Sequence, residues 1–329
     1  MKRIMDCNLS TVLYAANLTL EEPVIQHATK TGKLYRAPGH DGICQEFLKK
    51  TWETTKGDFL HTVNEMYSDA LISEHQKFGI IVCILKQPNA LHIDDYRPPT
   101  ILNTDFNLVT RIIANHLRQW MPDLLQDSQY CGLMNTSVFE AIATIKDAFD
   151  YAEVTRTPLC VLSTEFQGAF YNVSHEYLFE VLYKYGFSEH LMQRIWNIYN
   201  NSTSLVQLRY RSYSFLIKSS IHQGCPLSMI LFAMCLNPLL HNLGNSLHGL
   251  WIGRHRTMNI SLEYADVTIF ITELSDIPEL QEAIHCYEAA SGARVNFQKS
   301  REIALGSWGN PLKLWTIHTM ILYKYWASR

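Results

Sequence analysis

Hydrophobic and polar residues along the chain follow two kinds of spacing that alternate from one segment to the next. One repeats every three or four residues and predicts amphipathic or buried helices. The other alternates every second residue or forms a short apolar run, and both patterns are typical of strands. The helical segments are 44–55, 58–71, 105–125, 137–154, 174–187, 226–243 and 277–292, and the strand-like segments are 78–85, 157–166, 204–218 and 259–272. Helices and strands mixed in this way predict an α+β fold.

Local signals support several of these boundaries. Ser174 has the side chain of a helix N-cap, and Gly186 follows the end of the same helix. Pro98 and Pro99 exclude a helix around them and predict an extended segment. The alternating segment 259–272 is predicted to be a hairpin, with its turn close to Asp266.

The composition is that of a folded globular protein. The chain has 329 residues, of which 47% are hydrophobic and 18% charged, so it is long and apolar enough for one large domain or two smaller ones. No apolar run approaches the ~20 residues that a membrane span needs. Asp6 and Asn8 interrupt the apolar stretch at the start of the chain, which argues against a signal peptide. An intracellular, non-secreted protein is therefore expected.

Metal-binding and redox patterns are missing from the cysteines and histidines. The eight cysteines form no CxxC pair, and the fourteen histidines show no HxxxH or HExxH spacing, so no zinc site is predicted. Several cysteines lie in apolar runs, where a free thiol behaves as a small core residue. The net charge of −3 gives no support to nucleic-acid binding, although a local basic groove is compatible with it.

Four segments place candidate chemistry in a fixed order. The strand-like segment 157–166 reaches an acidic residue, Glu165; "QGCPLS" opens a hydrophobic helix; the hairpin 259–272 carries Asp266; and a helix leads into "SGARVNFQKS". Two acidic strand ends brought together would offer the oxygen ligands that Mg²⁺ prefers. Two such ions about 3.5–4 Å apart stabilise the attacking and leaving oxygens of a phosphoryl transfer.

These segments resemble the reverse transcriptases of non-LTR (LINE-type) retrotransposons. The residues that carry the resemblance are, in order, "APGHDGI", "DDYRPPTILNTDFNLVTRIIANHL", "EFQGAFYNVSHEYLFEVLYKYGF", "HQGCPLS", "YADV" and "SGARVNFQKS". The resemblance covers 36–306 and implies the fingers and palm of a right-hand polymerase, with an antiparallel palm sheet backed by helices. Residues 1–35 would be an N-terminal extension, and 307–329 a remnant too short for a full thumb. No endonuclease segment is expected in the residues before the match.

The sequence departs from the family's pattern at the metal-binding positions. The family's first palm motif is D-x-x-x-A-F-D, whereas this chain has E-F-Q-G-A-F-Y, with Glu165 and Tyr171 at the two acidic positions. The family's catalytic hairpin is Y-A-D-D, whereas here Asp266 is followed by Val267. The resemblance therefore implies that Glu165 and Asp266 would bind Mg²⁺ or Mn²⁺, with weakened affinity. The alternatives for these two residues are a surface glutamate and a solvated turn aspartate, and Val267 is interpreted as an ordinary strand valine.

Other residues match the family's nucleotide-binding positions. The resemblance implies that Phe170 is the gate against a ribose 2′-OH, that Gln223 and Gly224 hold the incoming nucleotide and template base, that Lys86 and Arg97 meet the triphosphate, and that Lys299 protonates the leaving pyrophosphate. His222 stands where the family often has arginine, which weakens a basic contact at neutral pH. A core aromatic is the alternative for Phe170, and a solvated surface charge is the alternative for each of the three cations.

Three functions remain open at this level. The favoured hypothesis is a retrotransposon-derived reverse transcriptase-like protein that is inactive or strongly impaired. The second is a weak Mn²⁺- or Mg²⁺-dependent polymerase that extends a DNA primer on an RNA template with dNTPs. The third is a module that only binds RNA or an RNA–DNA hybrid. No membrane partner is expected, and the sequence does not indicate an oligomeric state.

Overall fold

The computed structural model describes residues 20–68, 72–86, 88, 92, 95–130, 137–207, 212–222, 224–252, 255–257, 259–263, 266–308 and 318–319. At 212, 255–257, 259–263, 266 and 318–319 it describes the backbone alone. Gln223, most of the predicted N-terminal extension and most of the predicted C-terminal remnant lie outside these residues. No helix in the described ranges is both long and apolar enough to cross a membrane.

Helices and strands alternate along the chain, as the spacing of hydrophobic residues predicts. The helices are α1 Glu22–Lys30, α2 Gln45–Ser68, α3 Glu74–Lys77, α4 Thr104–Arg118, α5 Met121–Leu124, α6 Val138–Thr155, α7 Ala169–Asn172, α8 His175–Lys184, α9 Glu189–Tyr199, α10 Ser228–Ser246 and α11 Asp276–Ser291. The strands are β1 Gly79–Val82, β2 Ile84–Leu85, β3 Tyr96–Arg97, β4 Thr100–Ile101, β5 Leu159–Gln167, β6 Thr203–Gln207, β7 Ser212–Leu216, β8 Leu250–Ile252, β9 His255–Thr257, β10 Asn259–Glu263, β11 Asp266–Ile271, β12 Arg294–Val295, β13 Arg301–Leu305 and β14 His318–Thr319.

The chain divides into two compact units, and the described residues of the first lie within 121–173, 232–308 and 318–319. Its sheet has the strand order β10-β11-β5-β13-β14, and β12 pairs with the end of β5. The central strand β5 is antiparallel to both β11 and β13. The predicted antiparallel sheet is therefore present, with the strand that ends near Glu165 at its centre.

Helix α6 covers one face of this sheet through small residues. Ala141, Ala148 and Ala152 are fully buried and pack with Leu159 and Phe270 of the strands. Alanine side chains let a helix approach a sheet closely, and burying a side chain as large as Phe270 stabilises the fold by about 2–3 kcal/mol. Ser137 caps the helix, because its hydroxyl accepts a hydrogen bond from the Phe139 N–H.

The described residues of the second unit lie within 20–120 and 174–231. Its sheet has the order β4-β1-β6-β7, in which β1 and β6 are parallel and the other neighbours are antiparallel. The predicted hairpin at 204–218 is confirmed as β6 and β7. Ser174 caps α8 by accepting a hydrogen bond from the Tyr177 N–H, and Gly186 adopts φ 77° after its end, as predicted.

Four of the predicted elements are wrong in their boundaries. Segments 44–55 and 58–71 form one helix, α2, because Gly57 costs only about 1 kcal/mol inside a helix whose buried side continues through Val63 and Met66. Segment 105–125 is instead two helices, α4 and α5, since Pro122 has no N–H to continue the ladder. Segment 78–85 is two short strands, and the second, β2, is exposed rather than buried.

Candidate functional site

Strands β5 and β11 bring the two predicted metal-binding residues opposite each other. Their antiparallel register pairs Asp266 with Glu165, followed by Val267 with Thr164 and Thr268 with Ser163. Directly paired residues project to the same face of a sheet, with Cβ atoms about 4.5–5.5 Å apart. Glu165 is half-buried, and Asp266 is one of the positions described by backbone alone. The register therefore places the two residues as neighbours on one face.

Position 267 lies on the other face of the sheet. Successive residues of a strand point to opposite faces, and the Val267 side chain is fully buried. The hydroxyl of its partner Thr164, also buried, donates a 3.0 Å hydrogen bond to the Val267 carbonyl. The interpretation of Val267 as an ordinary strand residue is confirmed, because its side chain is part of the apolar core beneath Glu165 and Asp266.

The segment after α11 holds the backbone of Glu165 from both sides. Strand β12 pairs with Gln167 and Phe166 at the end of β5. The Asn296 N–H then donates a 2.7 Å hydrogen bond to the Glu165 carbonyl, and the Glu165 N–H donates to the buried Ser300 hydroxyl at 3.3 Å. The sequence identifies "SGARVNFQKS" as a motif but does not predict that Asn296 and Ser300 position Glu165. The only signal for these two residues was their place on either side of Lys299.

Lys299 contacts the carboxylate of Glu165. Its ammonium Nζ lies 3.0 Å from Glu165 Oε1, and the two side chains are 49% and 39% exposed. An ion pair with this exposure contributes at most about 1 kcal/mol to stability. The ion pair matters for metal binding more than for stability, because the Glu165 carboxylate, the candidate metal ligand, is already paired with the Lys299 ammonium.

Phe170 and Tyr171 lie on the short helix α7, which follows directly on β5. Gly168 at its start adopts φ 55°, a conformation that favours glycine. The half-buried Phe170 ring stacks on Phe232, with ring centroids 4.6 Å apart. Burial raises the pKa of Tyr171 to about 12, so this residue presents a neutral hydroxyl where the family has a second carboxylate. Both the gate and the core-aromatic roles of Phe170 are compatible with this packing.

The predicted triphosphate contacts lie in the second unit, on a small hairpin. Strands β2 and β3 pair Ile84 with Arg97 and Leu85 with Tyr96, and the Lys86 N–H continues the ladder to the Asp95 carbonyl at 2.8 Å. Lys86 lies two residues beyond Ile84, so the alternation of a strand places it on the same face as Arg97. Both cations are exposed. The hairpin therefore presents two positive charges together, and their role with a triphosphate stays a prediction.

The "HQGCPLS" turn is closely packed on both sides of Gln223, which itself lies outside the described residues. Gly224 adopts φ 120°, and a Cβ built on it would lie 2.5 Å from the Thr100 carbonyl oxygen. His222 is buried, stacks on the Tyr199 ring and contacts the Ser202 hydroxyl at 3.2 Å. Burial lowers the pKa of His222 to about 4, with a smaller effect from nearby His175, so the imidazole is uncharged at neutral pH.

Comparison with known proteins identifies the family. A family model described as reverse transcriptase (RNA-dependent DNA polymerase) matches residues 84–315, which is more than half of the chain. The chain belongs to the reverse transcriptase family. The predicted resemblance to LINE-type enzymes is confirmed by two relatives encoded by non-LTR elements.

The first of these relatives is the transposon TX1 uncharacterized 149 kDa protein of Xenopus laevis. It is 27% identical over 292 residues, which are 88% of this chain and 22% of the relative. The second is a retrovirus-related Pol polyprotein from the type-2 retrotransposable element R2DM of Drosophila melanogaster. It is 24% identical over 289 residues, which are 86% of this chain and 26% of the relative. This chain thus spans about a quarter of the length of each relative.

Solved structures confirm the fold. An apo telomerase from Candida tropicalis, truncated from its C-terminal domain, is similar with a TM-score of 0.53. The likeness covers 83% of this chain and 59% of that one at 14% identity. The mixed α+β architecture of a reverse transcriptase with an antiparallel sheet is therefore shown.

Reverse transcriptases generally use divalent cations, and this chain offers fewer acidic ligands for them than the family's motifs do. The residues with described side chains contain no group of three or more histidine, cysteine, aspartate or glutamate side chains that could hold a metal. Glu165 supplies one carboxylate, and Lys299 is bonded to it. Val267 supplies no ligand and faces the core, and Tyr171 is a neutral phenol. The donor set is thus poorer in negative charge than the family's motifs.

Replacing Gly224 of this reverse transcriptase by alanine is expected to lower the free energy of unfolding by about 2 kcal/mol or more. Alanine disfavours positive φ, and the new methyl group meets a backbone carbonyl that moves only with β4. Urea unfolding followed by circular dichroism measures the change. Gly42→Ala is the matched control, because Gly42 has φ 74° and a Cβ added there would meet nothing within 4 Å. Equal losses in both variants would contradict a role for the Thr100 contact.

Proposed function

We propose that this LINE-type reverse transcriptase domain is inactive, or strongly impaired, as an RNA-directed DNA polymerase. The observation that carries the proposal is the change at three acidic positions of the family, where Glu165 replaces an aspartate and Tyr171 and Val267 supply no carboxylate. The Lys299–Glu165 ion pair adds to it. The partners of such a domain would be an RNA template, a DNA primer and dNTPs, inside the cell.

The chemistry that is impaired is phosphoryl transfer. In this reaction a primer 3′-OH attacks the α-phosphate of a dNTP and pyrophosphate leaves, and bound divalent cations normally stabilise both oxygens. Glu165 is one methylene longer than aspartate, so its carboxylate is displaced by about 1 Å, and a misplacement of that size costs ~100-fold in rate. The Lys299 ammonium also neutralises part of the negative charge that attracts the cations.

An inactive domain of this kind would still bind nucleic acid. Binding to phosphates needs positive charge rather than metal ligands, and the exposed Lys86 and Arg97 supply it on one hairpin. The positive charge of this hairpin does not depend on the acidic residues that differ from the family's pattern. A domain that binds a primer–template but does not extend it is therefore the expected behaviour.

Primer extension on an RNA template, with Mg²⁺ and separately with Mn²⁺, tests the proposal. The wild-type protein is expected to give no extension with Mg²⁺, and with Mn²⁺ none or a rate at least tenfold below that of Glu165→Asp. Asp266→Asn in the Glu165→Asp background is the control and is expected to remove the recovered synthesis. Fluorescence anisotropy of a labelled primer–template is measured on every variant, so that loss of binding is distinguished from loss of chemistry.

Efficient extension by the wild-type protein would overturn the proposal. Efficient means a Mg²⁺-dependent rate equal to or above that of Glu165→Asp. If no variant extends but all bind the primer–template, inactivity is supported and its cause extends beyond Glu165.

A further inference from the structure

The Lys299 ammonium lies 3.0 Å from the carboxylate of Glu165, the residue at the family's metal-binding position. We infer that Lys299 is the internal counter-cation of this carboxylate and that it lowers the affinity of the site for divalent ions. The inference rests on the proposed function insofar as Glu165 is taken as a residue of the metal site. It assigns Lys299 a role different from the proton donor that the family resemblance implies.

Backbone hydrogen bonds hold Lys299 close to Glu165. The turn at 297–299 is closed by the Lys299 and Ser300 N–H groups, which donate to the Asn296 carbonyl at 3.1 and 2.9 Å. The same segment bonds to the Glu165 backbone through Asn296 and Ser300. The ion pair therefore joins two residues whose main chains are already tied together, so little chain entropy opposes it.

The other cations of this segment are bonded elsewhere. Arg301 donates to the Gln298 and Ser300 carbonyls at 2.6 and 2.8 Å. Arg294 forms its ion pair with Glu288 at 3.6 Å. Within the described part of the chain, the side chain that meets the Glu165 carboxylate with a positive charge is thus that of Lys299. Removing this one amine changes the charge at Glu165 and breaks no other ion pair among the described residues.

The size of the effect follows from Coulomb's law at an exposed site. A divalent ion bound to Glu165 would lie within a few ångströms of the ammonium, and the two cations would repel each other or compete for the same oxygen. Both side chains are partly exposed, so water and salt screen most of this repulsion. A change of about tenfold in the dissociation constant is expected when the positive charge is removed.

A titration with Mn²⁺ alone tests the inference, with the EPR signal of free Mn²⁺ reporting the bound fraction. Lys299→Met and Lys299→Gln are expected to bind about tenfold more tightly than wild type, whereas Lys299→Arg, which keeps the charge, binds no more tightly than wild type. Lys146→Met removes an exposed lysine of α6 and is the matched control, expected to behave as wild type. Adding Glu165→Gln to Lys299→Met is expected to abolish the gain.

Two outcomes overturn the inference. In the first, Lys299→Met and Lys299→Gln bind Mn²⁺ no better than wild type, which includes the case in which none of them binds. In the second, Lys146→Met gains as much as Lys299→Met, so that net charge alone explains the change. Circular dichroism verifies that each variant folds. The titration contains no template, primer or nucleotide, so its result is independent of whether the wild-type protein synthesises DNA.

Discussion

Val267→Asp is expected to lower the free energy of unfolding by about 3 kcal/mol or more, and not to restore a metal site. The Val267 side chain is fully buried on the face of β11 opposite to Glu165 and Asp266. An aspartate there would be either an ionised carboxylate without a partner in the core or a protonated one at neutral pH, and both are costly. The second acidic position of the family's hairpin is therefore not recovered by a single substitution.

Thermal and urea unfolding followed by circular dichroism measure this loss. Ser163→Asp is the matched control, because Ser163 is an exposed position in the same sheet, paired with Thr268 and Arg301. An added charge there is expected to change stability by less than about 1 kcal/mol. Val267→Thr, which is nearly isosteric and uncharged, should fall between the two. A Val267→Asp protein as stable as wild type would show that the side chain reaches solvent.

The stability of the second unit is expected to fall as the pH is lowered from about 6.5 towards 4, because His222 is buried as a neutral imidazole. Burial lowers the pKa of His222 to about 4, whereas an unfolded histidine titrates near 6.5. Between these values the unfolded state binds more protons than the folded state, so stability decreases as pH falls. The full difference corresponds to about 3 kcal/mol.

The surroundings of His222 support the direction of this effect. The groups that face it are the Tyr199 ring, the Ser202 hydroxyl and the neighbouring His175, whose own pKa is also lowered by burial. None of these is an anion that could stabilise an imidazolium. Protonation of His222 in the folded protein therefore places an uncompensated positive charge in the interior, beside the turn whose Ser228 hydroxyl donates a hydrogen bond to the His222 carbonyl at 2.6 Å.

Urea unfolding of wild type and His222→Gln at a series of pH values from 7.5 to 4.5 measures the effect. The wild-type protein is expected to lose about 2–3 kcal/mol more than the variant across this range, since the common contribution of the carboxylates cancels in the difference. His61→Gln is the control for an exposed histidine. Parallel pH profiles for wild type and His222→Gln would mean that His222 is accessible and titrates normally.

The local pattern of hydrophobic and polar residues was sufficient to predict most helices and strands, and it gave wrong boundaries at particular residues. The caps at Ser137 and Ser174 and the hairpins of β6–β7 and β10–β11 depend on residues close in sequence, so short-range spacing predicts them. The break before Pro122 carries a local signal as well, which the prediction of one long helix did not use. No local signal in the sequence indicates that α2 continues through Gly57. It continues because burial of the helix on both sides of Gly57 outweighs the low helix propensity of glycine.

The amino-acid sequence alone was enough to establish the reverse transcriptase family, the α+β class and the altered acidic motifs, because an ordered series of motifs is a property of the chain. The tertiary structure decided three other matters: Lys299 bonds to Glu165, Val267 faces the core, and His222 is buried. Glu165 and Lys299 are separated by 134 residues. Contacts at such separation, and the face on which a strand residue lies, depend on how elements pair and pack, which spacing within one segment does not determine.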